Sequence, residues 1–186
     1  MSDSNAIGSG AGPAKVFDSI FDSHHEAVFR YCLRRLGPSE AEDATADVFA
    51  VVWRRIDQVP DGDAARSWLI GVSYKVVGNR YRTRRRQVRL SERIESDQRT
   101  RRGADAVPDP DTHLVHLALD KLSQTDQELI RLASWDGLSR SEIADVLGIR
   151  VNAVDQRLHR ARTRLKTHFD QLTAASQASR PEEASI

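Results

Sequence analysis

Leu138 to Phe169 reads LSRSEIADVLGIRVNAVDQRLHRARTRLKTHF. It divides into a short helix, a tight turn and a longer basic helix. Ser139-x-x-Glu142 has the spacing of a capping box, in which a side-chain oxygen takes a free amide of the first turn and the acid takes the amide of the cap residue. Ile143, Ala144 and Leu147 give the short helix one apolar face. Gly148 follows, where a residue free to adopt positive φ ends a helix at little cost. In the second helix Val151, Val154, Leu158, Ala161 and Leu165 recur at steps of three and four, one inward stripe. Asn152, Gln156, His159 and Thr163 fall on the opposite face, among Arg157, Arg160, Arg162, Arg164 and Lys166. A helix packed along one side, with amides and cations along the other, suits entry into a DNA major groove. An ordinary helical hairpin with a solvated basic face is the competing explanation.

The surrounding chain has 186 residues, 30% charged and only 6% aromatic, with a formal net charge of +1. Such a composition favours small helical cores over large sheets. The near-zero balance conceals blocks. Lys75 to Arg102 is strongly basic, Gly103 to Ile149 is acidic, and Arg150 to Lys166 is basic again with Asp155 its single acid. Two separated cationic blocks imply two contacts with a polyanion. Cys32 is the only cysteine, which excludes a disulfide framework and a thiolate metal cluster. Its apolar neighbours Val28, Phe29, Leu33 and Leu36 make it a small buried hydrophobe. No apolar run approaches a membrane span and no signal pattern opens the chain, so a reducing cytoplasm is expected.

Working outward from the helix pair, residues 1–14 read as a disordered arm of Gly, Ser and Ala. Helical periodicity starts at Lys15 and runs through Phe17, Ile20, Phe21, Val28, Phe29, Cys32, Leu33 and Leu36, as two helices or one bent one, until Gly37-Pro38. A second helix is expected from Ser39, with Ser39-x-x-Glu42 as its cap, through Ala44, Val48, Phe49, Val51, Val52, Trp53 and Ile56. A third is expected from Ala64 with Asp63 as N-cap. Its apolar face comprises Leu69, Ile70, Val72, Val76, Val77 and Tyr81, and Lys75, Asn79, Arg82 and Arg86 line up on one polar face. Residues 87–111, with the helix-breaking Val107-Pro108-Asp109-Pro110-Asp111, read as a linker. Two short helices, around Leu114, Leu117, Ala118 and Leu122 and around Leu129, Ile130, Leu132, Ala133 and Trp135, then lead to the helix pair. The tail 171–186 reads as disordered. Two small all-α domains, residues 15–86 and 112–170, are expected.

Three stretches in this order resemble the extracytoplasmic-function (ECF) group of bacterial RNA polymerase sigma factors, within the sigma-70 superfamily. AEDATADVFAVVWRRID (41–57) is similar to the family's polymerase-clamp helix. SWLIGVSYKVVGNRYRTRRR (67–86) is similar to its promoter-melting and minus-10 helix. ELIRLASWDGLSRSEIADVLGIRVNAVDQRLHRARTRL (128–165) is similar to its minus-35 helix-turn-helix. The resemblance implies that Asp43, Asp47, Val51 and Arg54 bind core polymerase. It implies minus-10 contacts at Asp61, Arg66, Trp68, Lys75, Asn79, Arg82 and Arg86, with Asp63 a further candidate in the loop that holds a flipped base. It implies minus-35 contacts at Arg150, Asn152, Ala153, Gln156, Arg157, His159 and Arg160. Implied partners are the β′ clamp and β flap of the polymerase, promoter DNA and an anti-sigma factor, with no cofactor, no metal and no enzymatic activity.

The chain departs from the family pattern at several positions. Ala46-Asp47 replaces Gln-Glu in the clamp helix, and Lys75 and Asn79 stand where Asn and Asp are frequent. Arg150, Asn152, Ala153 and Asp155 replace common Ser, Gly, Thr and Lys, so the promoter preference is expected to differ. Arg150 cannot accept a bond from the helix amides, which leaves Asn152 as the candidate cap. Asp155 opposes phosphate unless it accepts from a cytosine amino group or orients an arginine. Two other classes compete. A stand-alone helix-turn-helix regulator explains only the second basic block and lacks an assigned dimer surface. A metal hydrolase would rest on His113-x-x-His116 and His24-His25-Glu26, too few converging ligands for a metal site.

Overall fold

The computed structural model describes residues 12–91 and 110–178. Among them the chain forms seven α-helices and one short 3-10 turn, with no strand. They make two compact units, three helices in the first and four in the second.

In the first unit α1 spans Pro13–Leu36, α2 Pro38–Arg54 and α3 Asp63–Ser91. α1 is one continuous helix that begins inside the expected arm, because Pro13 sits in its first turn, where the missing N–H costs nothing and the fixed φ favours a helix. α1 packs on both α2 and α3, and α2 packs on α3. Val28, Tyr31, Cys32, Ala44, Val48, Val52, Leu69 and Ile70 form the core, each at most 1% exposed. Burial pushes the Cys32 thiol up, opposed by a hydrogen bond with the Thr45 hydroxyl.

One cation lies inside this core. Arg35 is buried, its guanidinium carbon 3.4 Å from the centroid of the Tyr31 ring. Its Nη1 donates to the Tyr31 carbonyl at 3.2 Å. A ring face and a carbonyl replace part of the water this charge has lost. The Tyr81 hydroxyl donates to the Arg35 carbonyl, tying α3 to the end of α1. Tyr81 is half-buried and belongs to the packing.

Other helix boundaries in this unit also differ from expectation, among them the start of α3, where Asp63 lies inside the helix and does not serve as its N-cap. The Ser39-x-x-Glu42 box does not form. Gly37, at φ 81°, takes the cap position and Pro38 starts α2, so Ser39 is already inside the helix. α2 also stops at Arg54, and Ile56–Gln58 form the 3-10 turn. α3 runs to Ser91, five residues into the expected linker, and residues 92–109 lie outside the described residues.

In the second unit α4 spans Pro110–Asp120, α5 Gln124–Ser134, α6 Arg140–Leu147 and α7 Val151–Ala178. α7 packs on α4, α5 and α6. Its stripe of Val154, Leu158 and Ala161 is no more than 2% exposed and meets a core that includes Leu119, Leu129, Leu132 and Ile143. Val151 is 43% exposed and lies off that stripe, and Val146 is buried where Leu147 is only half-buried. Leu117 and Trp135 are exposed, and Trp135 caps α5 from outside it. The tail reading fails for residues 171–178. Phe169, Leu172 and Thr173 continue the period as half-buried residues, and the Thr173 hydroxyl donates to the Phe169 carbonyl, so the helix has reason to go on.

The Ser139 capping box does form. Ser139 Oγ accepts from the Glu142 amide at 3.3 Å and Glu142 Oε2 accepts from the Ser139 amide at 2.7 Å. Gly148 adopts the left-handed conformation, φ 65° and ψ 38°, that turns the chain into α7. Ser139→Ala should destabilise α6 by about 1 kcal/mol, seen as roughly fivefold faster amide exchange in α6 with α1–α3 unaffected. Unchanged exchange would contradict a stabilising role for the cap.

Candidate nucleic-acid interface

A cationic side chain on a helix flank either meets an acid of a neighbouring helix or stays in water. α3 contains both kinds. Its register places Arg80 and Arg84 toward α2, where Glu40 and Asp47 lie seven residues apart and so on one face. Arg80 Nη2 lies 2.5 Å from Asp47 Oδ2 and Arg80 Nη1 4.0 Å from Glu40 Oε2. Arg84 Nη1 lies 3.4 Å from Glu40 Oε1. These residues line a cleft of about 730 Å³ between α2 and α3, together with Val51, Arg54, Val76 and Asn79.

Lys75, Arg82 and Arg86 lie on a different flank, with Asn79 between them and the cleft, and all four side chains are exposed. Arg82 donates to Asn79 Oδ1, which fixes one guanidinium along the helix. α3 therefore divides its cations. Arg80 and Arg84 are held by α2 acids, while Lys75, Arg82 and Arg86 face solvent.

Of the residues expected to bind polymerase, Asp43, Asp47 and Arg54 are exposed and Val51 is half-buried. Asp47, Val51 and Arg54 share the α2–α3 cleft, and Asp47 already holds Arg80. The sequence reading missed Arg80, because a cation within a basic run gives no sign of which acid it will meet across a helix interface.

At the start of α3, Asp61 is exposed in the loop, Gly62 has φ 62°, and Arg66 and Trp68 are half-buried. Arg66 lies near enough to His24 of α1 to disfavour its protonated form, although burial is the larger cause of the depressed His24 pKa. His25 packs within an aromatic cluster, its ring centroid 4.7 Å from Phe21 and 6.0 Å from Phe49.

In the second unit the residues expected to contact minus-35 DNA lie along and just before α7. Asn152, Gln156, Arg157, His159 and Arg160 are exposed, as is Arg150 just before the helix, and Ala153 is half-buried. The Arg150 carbonyl accepts from the amides of Ala153 and Val154, so Arg150 occupies the cap position and Asn152 lies inside the helix. Asn152 is thereby left to face outward instead of capping. Arg160 Nε donates to the Gln156 carbonyl at 3.3 Å. Arg164 Nη1 lies 2.6 Å from Asp126 Oδ2 of α5, so this cation braces the unit. Asp155 receives Arg140 Nε of α6 at 2.5 Å. His116 stacks on the exposed Trp135, with ring centroids 6.0 Å apart.

The two units correspond to two conserved regions of one family. Residues 20–87 match Sigma-70 region 2, and residues 112–165 match Sigma-70, region 4. The chain belongs to the sigma-70 family of RNA polymerase sigma factors. Within that family, relatives that it matches are named ECF sigma factors. It is 28% identical to ECF RNA polymerase sigma factor SigK of Mycolicibacterium vanbaalenii, over 78% of this chain and 77% of that one. It is also 28% identical to ECF RNA polymerase sigma factor SigL of Mycobacterium tuberculosis, over 89% and 95% of the two chains. Its fold resembles the sigma factor RpoE of Bartonella quintana, solved in complex with the anti-sigma factor NepR. That match has a TM-score of 0.68 at 23% identity and covers 84% of this chain and 98% of the other.

Because burial and Arg66 both lower the His24 pKa, the unfolded chain takes up this proton near the ordinary value of about 6.5 and the folded chain only at lower pH. The first unit should therefore lose stability as pH falls from that value through the folded one, with no further loss below. Proton NMR should place the His24 midpoint below about 6.5, and Arg66→Ala should raise it. A midpoint unaffected by that substitution would place Arg66 away from His24.

Proposed function

We propose that this chain binds core RNA polymerase, directs it to promoters through separate minus-10 and minus-35 contacts, and promotes opening of the duplex. The observation carrying this reading is the solvent-facing cationic row on α3 together with the exposed polar face of α7, one in each family region.

The division of labour follows from charge and burial. On α2, Asp43, Asp47 and Arg54 offer both signs of charge beside the half-buried Val51, a surface suited to the clamp of the polymerase. Lys75, Arg82 and Arg86 track the phosphates of the non-template strand. Each neutralised phosphate adds salt-dependent affinity and no base preference. Asn79 orients Arg82, and Asp61, Arg66 and Trp68 bound the start of α3, where an opened base can stack on the indole at ~1–3 kcal/mol. Arg150, Asn152, Ala153, Gln156, Arg157, His159 and Arg160 form the minus-35 contact. Gln156 has the bidentate geometry for adenine, and Arg157 and Arg160 suit guanine or phosphate. The factor acts where the polymerase is, in the cytoplasm. No helix among the described residues is long and apolar enough to cross a membrane. An anti-sigma factor is a further partner by family analogy.

The direct test is run-off transcription with purified core polymerase and a promoter library. Specific initiation that depends on the added chain is expected, and its absence at every site would refute the proposal. Arg157→Ala should weaken minus-35-dependent initiation by more than about tenfold while leaving association with core polymerase unchanged. Full promoter output from a normally folded variant would remove Arg157 from the interface.

A further inference from the structure

Asp155 presents a physical difficulty. It is the one acid between Arg150 and Lys166, on a helix expected to approach a polyanion. It also lies three residues after Asn152 and four before His159, in the row that faces outward. An unpaired carboxylate there would repel phosphate.

The structure shows where that charge is directed. Arg140, the first residue of α6, donates Nε to Asp155 Oδ1 at 2.5 Å. The side chains remain 55% and 52% exposed. An ion pair this open to water adds little to folding, typically about 0–1 kcal/mol, so stability is a weak reason for it. Its geometry has another consequence. With Nε engaged, Asp155 biases the orientation of the guanidinium, and its two terminal nitrogens remain as further donors at this exposed position.

We infer that Arg140 is a phosphate-contacting residue of the second unit and that Asp155 is the positioning residue that aims it. This inference rests on the promoter-binding reading above. In helix-turn-helix docking the second helix enters the major groove while the first crosses the sugar-phosphate backbone. Arg140 stands at the start of that first helix, so the acceptor it meets is a phosphate oxygen and not a base edge. The Arg140–Asp155 pair carries no net charge, which removes the repulsion, and it holds the fork of Nη donors in the geometry that phosphate accepts. The pair therefore fixes the angle at which α7 lies in the groove and selects no base itself.

The test uses the full chain assembled with core polymerase on a promoter from which it initiates. Affinity is measured across a salt series for wild type, Arg140→Ala, Asp155→Ala and the double variant. Arg140→Ala should weaken binding roughly tenfold and flatten the salt dependence by about one phosphate contact. Asp155→Ala should also weaken binding, by roughly three- to tenfold, even though it removes a negative charge from the DNA side. The double variant should be no weaker than Arg140→Ala, because both substitutions disable one contact. Base preference across a minus-35 library should stay the same in all three, and so should the melting temperature of the free chain.

Tighter binding by Asp155→Ala would show a carboxylate that merely repels DNA and would overturn the inference. So would an Arg140→Ala variant with wild-type affinity and salt dependence. A changed base preference in Asp155→Ala beside a neutral Arg140→Ala would show Asp155 reading a base directly, which also overturns it. If wild type initiates at no promoter, the functional proposal itself fails and takes this inference with it. If wild type initiates normally, a negative result counts against the Arg140–Asp155 pair alone.

Discussion

The structure depends on one constraint. α3 and α7 must each bury an apolar stripe, and neither can take its arginines into the core along with it. Val154, Leu158 and Ala161 of α7 are almost fully buried, as are Leu69 and Ile70 of α3. Burying that surface is worth about 25 cal/mol per Å², while an unpaired buried cation costs several kcal/mol. The rotation of each helix about its axis is fixed by this difference. Once it is fixed, the cations fall either on a flank facing an acid of the next helix or on the flank facing water.

That partition connects packing to function. Arg80 and Arg84 face Glu40 and Asp47, and Arg164 faces Asp126. These charges brace helices against one another. Lys75, Arg82 and Arg86 in the first unit and Arg157 in the second are left to solvent. The basic blocks of the sequence are thus less uniformly available to a polyanion than their charge counts suggest. Arg35 is the exception. It is buried, and it persists because the Tyr31 ring and carbonyl surround it.

Much of the chain was legible as it stands. The Ser139 cap, the Gly148 turn and the inward stripe of α7 are local features, each set by residues within a few positions of one another; the first two are found as expected, and the stripe is buried from Val154 to Ala161 but not at Val151. The second cap was misread for an equally local reason. Ser39-x-x-Glu42 has the right spacing, but Pro38 starts the helix one residue earlier and Gly37 takes the cap. The end of α7 was misread because a polar composition near residue 170 outweighed the continuing period of Phe169, Leu172 and Thr173. Leu117 and Trp135 look like core residues by type, yet both are exposed.

The sequence alone determined the helical class, the two-part organisation, the positions of the polar faces and the family, because helical periodicity and capping are short-range and the three matching stretches keep their order. Tertiary structure alone decided which charges pair. Glu40 with Arg84, Asp47 with Arg80, Asp126 with Arg164 and Asp155 with Arg140 join residues 15 to 44 positions apart. No periodicity within one helix encodes such a pairing. It is set by how two helices are rotated against each other, and that rotation follows from the fit of their buried side chains.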